Sequence, residues 1–304
     1  MEIDVAQWAR TFNVTNVHYD KEAAGSEESR RVWDEKAPSF ARKPTRSDYI
    51  NQFITLLNSD PGETIFDMGC GSGTIAIPLA KAGHAVCAVD FSAGMLHELR
   101  RAAENEGVPV VDGATFSEHG VDTAQPVRDL IEHGAIVTFQ RSWQESWDDL
   151  PQADLCLSSR SLVTADILDA LDKMETHAAH RVVITTGAGD LPFKDSRIYE
   201  AMGREKPDVM PPDQLVSLVN LAFARGRYPR IEYISMEGTW HRKTREELIE
   251  AIFKSHTPQN SEEEKALNAF LAEHLVYNEA KDSYELDYAR PDRWAYIEWG
   301  LEES

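Results

Sequence analysis

Residues 64–90 read ThrIlePheAspMetGlyCysGlySerGlyThrIleAlaIleProLeuAlaLysAlaGlyHisAlaValCysAlaValAsp. Thr64, Ile65 and Phe66 are β-branched and aromatic, which predicts a short buried strand. Gly69, Gly71 and Gly73 fall within five residues, as a chain requires when it leaves a strand in a sharp turn and brings its backbone close to a ligand. A helix is expected from Thr74 to Ala82, with Gly83 ending it. Proline costs about 3 kcal/mol in a helix interior. The helix must therefore start close to Thr74 or Ile75, which leaves Pro78 in the first turn. His84 to Val89 reads as a second apolar strand that ends at Asp90. Strand, glycine turn, helix, strand and acid, in that order, make half of a doubly wound sheet whose ligand lies at the carboxyl ends of the strands.

The dinucleotide fingerprint places glycines at the first, third and sixth positions. With Gly69 and Gly71 as the first two, the sixth position is Thr74, and the fingerprint fails. The arrangement of Asp67, Gly69, Gly71 and Gly73 instead resembles motif I of the class I S-adenosylmethionine-dependent methyltransferases, of the small-molecule type. AlaValAspPheSerAlaGlyMetLeu, residues 88–96, is similar to that family's second motif. The resemblance implies a Rossmann-like α/β fold, with a doubly wound, seven-stranded, mostly parallel sheet and an antiparallel last strand. It implies S-adenosylmethionine as cofactor and a transferase activity. It also implies cofactor contacts at Asp67, Gly69, Cys70, Gly71 and Asp90. The chemistry agrees, because a carboxylate such as Asp90 can accept from both ribose hydroxyls, and such charge-assisted bonds are about twice as strong as neutral ones. The alternative for this stretch is a plain tight turn followed by a helix N-terminal acid.

Composition bounds the rest. A chain of 304 residues with 42% hydrophobic and 27% charged residues can bury a large core as one domain with additions or as two. Its 52 acidic residues against 31 Lys and Arg leave a net charge of −21, which disfavours nucleic acid as a partner. No apolar run reaches the roughly 18 residues of a membrane span, and the N-terminal MetGluIleAspVal does not read as a signal peptide. Cys70, Cys87 and Cys156 are spread along expected core strands and read as reduced thiols of a cytoplasmic protein. No ligand spacing points to a metal.

Outward from the glycine turn, residues 1–58 form an expected N-terminal helical arm or cap, and 59–304 the methyltransferase domain. Residues 47–57 carry apolar side chains at helical period. Trp33, in a Trp-Asp step some 30 residues before the turn, resembles the family's cap over the methionine end of the cofactor, or it anchors the arm as a core aromatic. Ser92 is an N-cap for a helix closed by Gly107. Phe91 and Met95 match family positions against the adenine, or are core. Residues 108–134 read as an insertion without a strand, serving as a lid, a dimer arm or a long loop. After the strand at 135–139, Ser142 and Trp143 occupy the family's adenine-side positions, with Ser142 where an Asp is usual. Ser158 ends the central strand at 153–159. Ser158, Ser159, Arg160 and Ser161 replace the Asn/Asp-Pro-Pro-aromatic pattern of enzymes that methylate nucleic acid bases. Arg160 either pairs a substrate carboxylate or is a solvated helix-start residue. Residues 187–229 read as a lid region. Thr244 with Glu247 and Ser261 with Glu264 read as two capping boxes, and residues 292–299 as the antiparallel closing strand.

The expected function is methyl transfer to a small-molecule acceptor by direct in-line displacement, the protein as a monomer or homodimer. His241 is the one candidate general base, against a plain surface histidine. The alternatives are another group transfer on the same fold and a non-catalytic cofactor-binding or interaction protein, since fold does not fix function.

Overall fold

The computed structural model describes residues 3–15, 25–41, 47–188, 195–205 and 214–301. The chain forms two compact units. The first comprises Met1–Thr186, Pro212–Glu232 and Ala295–Ser304, and the second Gly187–Pro211 and Tyr233–Trp294.

In chain order the elements begin with helices α1 (Val5–Thr15), α2 (Glu27–Ala41) and α3 (Ser47–Leu57). The alternating region follows with β1 (Ile65–Met68), α4 (Ala76–Lys81), β2 (Val86–Asp90), α5 (Ala93–Asn105), β3 (Val110–Asp112), α6 (Ala114–Glu118), α7 (Val127–Leu130), β4 (Ile136–Gln140), β5 (Ala153–Ser159), α8 (Ile167–Thr176) and β6 (Ala178–Gly187). Then come α9 (Ser196–Ala201), α10 (Gln214–Ala224), β7 (Arg230–Gly238), β8 (His241–Arg242), α11 (Arg245–Ser255), α12 (Ser261–His274), β9 (Leu275–Asn278), β10 (Ser283–Leu286) and β11 (Arg290–Gly300).

The main sheet has the strand order β3-β4-β2-β1-β5-β6-β11-β7. β1 pairs in parallel with β2 and β5, and every residue of β1 and β2 is buried. Such strands are apolar on both faces because helices cover both faces of a parallel sheet. The register Asp67↔Ala88 brings the ends of β1 and β2, with Asp67 and Asp90, to the same carboxyl edge. The bonds Ala188 N→Arg293 O and Leu301 N→His180 O run in the antiparallel sense, so β11 is the antiparallel strand expected from the sequence. Beneath the sheet Trp147 stacks on Phe66 with ring centroids 5.4 Å apart.

Helix α4 starts after Ile75, where proline at position 78 requires, and Gly83 leaves it at φ 97°. Ser92 caps α5 by accepting from Met95 N. Two expectations are corrected. The main sheet has eight strands rather than seven, because β3 lies within residues 108–134 and pairs in parallel with β4. Three residues with only partial burial are too short to carry a strand periodicity. The N-cap of α12 is Asn260, whose side chain accepts from Glu262 N and Glu263 N, and Ser261 is already helical. Asn caps as well as Ser, and it stands one residue earlier. The Thr244–Glu247 capping box is present as expected. Of the expected lid region, residues 189–194 and 206–213 lie outside the described residues.

The second unit has its own core of Ile198, Trp240, Leu248, Ile252, Leu267, Leu271 and Leu286 among others. Its antiparallel sheet has the order β8-β10-β9.

Candidate functional site

The turn after β1 is built on left-handed backbone, with φ 76° at Gly69, 54° at Gly71 and 86° at Gly73. At Gly69 space as well as conformation requires glycine, since a Cβ there would stand 2.3 Å from Ser161 Cβ. Gly69 N and Cys70 N both donate to Val89 O, at 2.7 and 3.0 Å, which ties the turn to the end of β2. Asp90 then fastens it. Its Oδ2 accepts from Gly71 N and its Oδ1 from Ser92 N, each at 2.9 Å. The Phe91 backbone adds a further favourable contact, and a carboxylate with about four acceptor sites still has room for another donor.

Asp67 stands beside it without such support. The side chain is 1% exposed and its Oδ2 has no hydrogen-bond partner. Burial, and secondarily the Asp90 charge, push its carboxyl up to about 8. Asp90 is raised to about 6, mainly by burial, against the backbone hydrogen bonds that favour its charge. Near pH 7 Asp90 is thus the charged acid of the pair and Asp67 the protonated one, an arrangement that can accept hydrogen bonds from a diol and exchange a proton for a cation.

The N-terminal arm reaches this pocket through α2. Asp34 Oδ1 accepts from Ser92 Oγ at 2.6 Å and Gly94 N at 2.8 Å, so it caps α5 from outside. Gly94 makes that approach possible, because a Cβ on it would lie 2.9 Å from Asp34 Cα. Phe40 lies 3.9 Å from the Cβ position of Gly71, and Arg30 pairs with Glu145 at 2.8 Å. Trp33 is half-buried and packs edge-on against Phe40, with centroids 6.1 Å apart.

The other expected residues gather at the same edge of the first unit. Phe91 is half-buried and Met95 buried behind Asp90. Ser142 and Trp143 follow β4. Ser142 N donates to Glu145 Oε2 at 2.7 Å, and Trp143 Nε1 to Ser161 O at 3.0 Å. Ser158 Oγ lies 2.9 Å from Ser161 Oγ, which itself donates to Met68 O at 2.7 Å. The Cys70 thiol is buried and pushed up by that burial, so it is a neutral packing group. Arg160 has a left-handed backbone at φ 60°, and its guanidinium lies 4.1 Å over the Tyr49 ring. The Tyr49 hydroxyl is bonded to Ser159 and Thr185. His241 belongs to the second unit, exposed on β8 with Nδ1 3.3 Å from Thr239 O. Sequence reasoning did not single out Asp34, Phe40 or Ser161. The Trp33-Asp34 step and the glycine at the second position of α5 were the available signals for Asp34.

A mostly parallel sheet that presents a glycine turn and two buried acids at its carboxyl edge defines an α/β domain of the Rossmann-like class. A family model for a methyltransferase domain matches residues 65–129. A Haemophilus influenzae protein described as uncharacterized is 30% identical over 275 residues, 89% of each chain. The ubiquinone biosynthesis O-methyltransferase of Xanthomonas campestris pv. campestris is 28% identical over 112 residues, 34% of this chain and 45% of the relative. The chain thus spans about half the length of that enzyme. The crystal structure of the YcgJ protein from Bacillus subtilis superposes with a TM-score of 0.48 at 11% identity, over 84% of this chain and 99% of that one. By the family match, residues 65–129 carry a methyltransferase domain.

Proposed function

We propose that the protein transfers the methyl group of S-adenosylmethionine to a small-molecule acceptor by direct in-line displacement. The observation that carries this reading is Asp90, a carboxylate held by Gly71 N and Ser92 N at the carboxyl edge of the sheet, where an acid can accept from a ribose diol. Asp67, with its unpartnered Oδ2, suits the ammonium of the amino acid end. Gly69 and Gly71, flanking the Cys70 backbone, let the turn approach that end without Cβ atoms of their own between. Phe91, Met95, Ser142 and Trp143 are assigned to the adenine, and Ser158 with the Trp33 arm to the reacting end. The donor carries its methyl on a sulfonium that is already electrophilic. The protein therefore has to align a nucleophile behind it, which is worth on the order of 7–11 kcal/mol.

A small acceptor is supported by the name of the Xanthomonas relative and by the net charge of −21, which opposes binding along a phosphate backbone. Calorimetric titration with S-adenosylmethionine and with NAD, repeated on Asp90→Ala, tests the cofactor site. Saturable binding of the former alone, lost in the variant, supports the reading, and binding of NAD alone sinks it. Label transferred from methyl-labelled cofactor into small metabolites of a cell extract tests the acceptor class. Label found only in protein or nucleic acid refutes it.

A further inference from the structure

Asp67 is the one acid of the pocket that the protein leaves without a counterpart. It is the third of four residues of β1, in the middle of the sheet, almost wholly enclosed, with Oδ2 unbonded. No Lys, Arg or His among the described residues pairs with it, and its only charged neighbour of consequence is another carboxylate, Asp90. An unpaired carboxylate cannot stay ionised in such surroundings, because desolvation and a like charge both favour the neutral form.

We propose that Asp67 is a proton-exchanging cation site, at which the cofactor's ammonium replaces the carboxyl proton, so that each binding event expels a proton to solvent. This rests on the cofactor reading given above. The balance is simple: the O–H bond of Asp67 breaks, its proton passes to buffer, and an ion pair with the already protonated ammonium takes its place. Other titratable groups face Asp67 or its immediate neighbours. They are Cys70 in the turn, Asp90 and Cys87 on β2, Cys156 on β5, and Tyr49 on α3. Burial pushes all three thiols and the phenol up, so they are neutral near pH 7. Asp90, raised only to about 6, is largely ionised there and strengthens the hold of Asp67 on its proton. With Asp67 itself near 8, about nine-tenths of a proton should leave per cofactor bound at pH 7.

The test is calorimetric titration of the full chain at pH 7 in phosphate, HEPES and Tris, whose ionisation heats differ. Three ligands are used: S-adenosylmethionine, S-adenosylhomocysteine and 5′-methylthioadenosine. The first two carry the ammonium and should each release close to one proton, seen as a buffer-dependent binding heat. The third has the adenosine but no amino acid end and should release none. Between pH 8 and pH 6 the affinity for S-adenosylhomocysteine should weaken about fiftyfold, most of it below pH 7.5. Asp67→Asn should abolish both the proton release and this pH dependence. Binding of the first two without a buffer-dependent heat overturns the coupling alone, as does equal release with 5′-methylthioadenosine. Absence of binding by all three overturns the cofactor reading and the coupling with it. The three-ligand comparison on the wild-type protein decides the matter even if the Asn variant does not fold.

Discussion

At the scale of single residues, Asp67 stands against folding in the unliganded protein. Its folded-state carboxyl titrates near 8, whereas an unfolded aspartate titrates near 3.9. Between those values the native state binds more protons than the unfolded chain, so stability falls as pH rises from about 4 to about 8. Asp67→Asn removes the titration while keeping the shape. It should raise the melting temperature of the unliganded protein at pH 8 by at least 2–4 °C, roughly 1 kcal/mol for a chain of this size, and by much less at pH 5. An equal or negative shift at pH 8 speaks against the buried neutral acid. Asp67, the three glycines and Asp90 were legible in the sequence because their spacing along a few residues is itself the chemistry. Asp34 was not, since its partner Ser92 lies 58 residues away and no local pattern marks an acid that caps another element's helix. Ser161 was not read as a support for the same reason, its target Met68 O lying 93 residues away at the end of the neighbouring strand β1.

At the scale of elements, the contact of α2 with α5 depends on the missing side chain at Gly94. Adding a methyl there meets the backbone of Asp34 at 2.9–3.0 Å, which cannot rotate aside. Gly94→Ala should therefore displace α2 at a cost of about 1–3 kcal/mol. Hydrogen exchange is the measurement: amides of 27–41 should lose protection while those of β1, β2 and β5 keep theirs. Uniform loss across both sets refutes a local role. Helices were legible where apolar period and caps coincide, as in α3, α5 and α11. They were less so where two good caps adjoin, as with Asn260 and Ser261. Strand β3 was hidden because Val110 and Val111 are too few for a period, and only pairing with β4 makes them a strand.

At the scale of the whole molecule, a net charge of −21 means that folding gathers like charge. Screening relieves such repulsion within a Debye length of about 10 Å at 0.1 M salt. The melting temperature should rise between 20 and 200 mM sodium chloride, and a fall would mean that pairs such as Arg181 with Glu63 and Glu298 outweigh the repulsion. The alternation of strands and helices in the first unit could be read in order along the chain. The second unit is assembled from two stretches, Gly187–Pro211 and Tyr233–Trp294, with α10 between them in sequence. Periodicity within either stretch is blind to such a union.

The grip of Asp34 on the start of α5 also sets a clock. α2 brings Phe40 against the glycine turn and Asp34 against Ser92 and Gly94, so if the arm closes over a bound ligand, it has to swing aside before the ligand leaves. Residence time would then follow the lifetime of two hydrogen bonds rather than the strength of the pocket. In stopped-flow mixing, the observed association rate should level off at high cofactor concentration, at the opening rate of the arm. Asp34→Ala should raise that plateau severalfold and shorten occupancy in proportion. A rate that climbs linearly without limit in the wild-type protein would show that the arm rides on the site without guarding it.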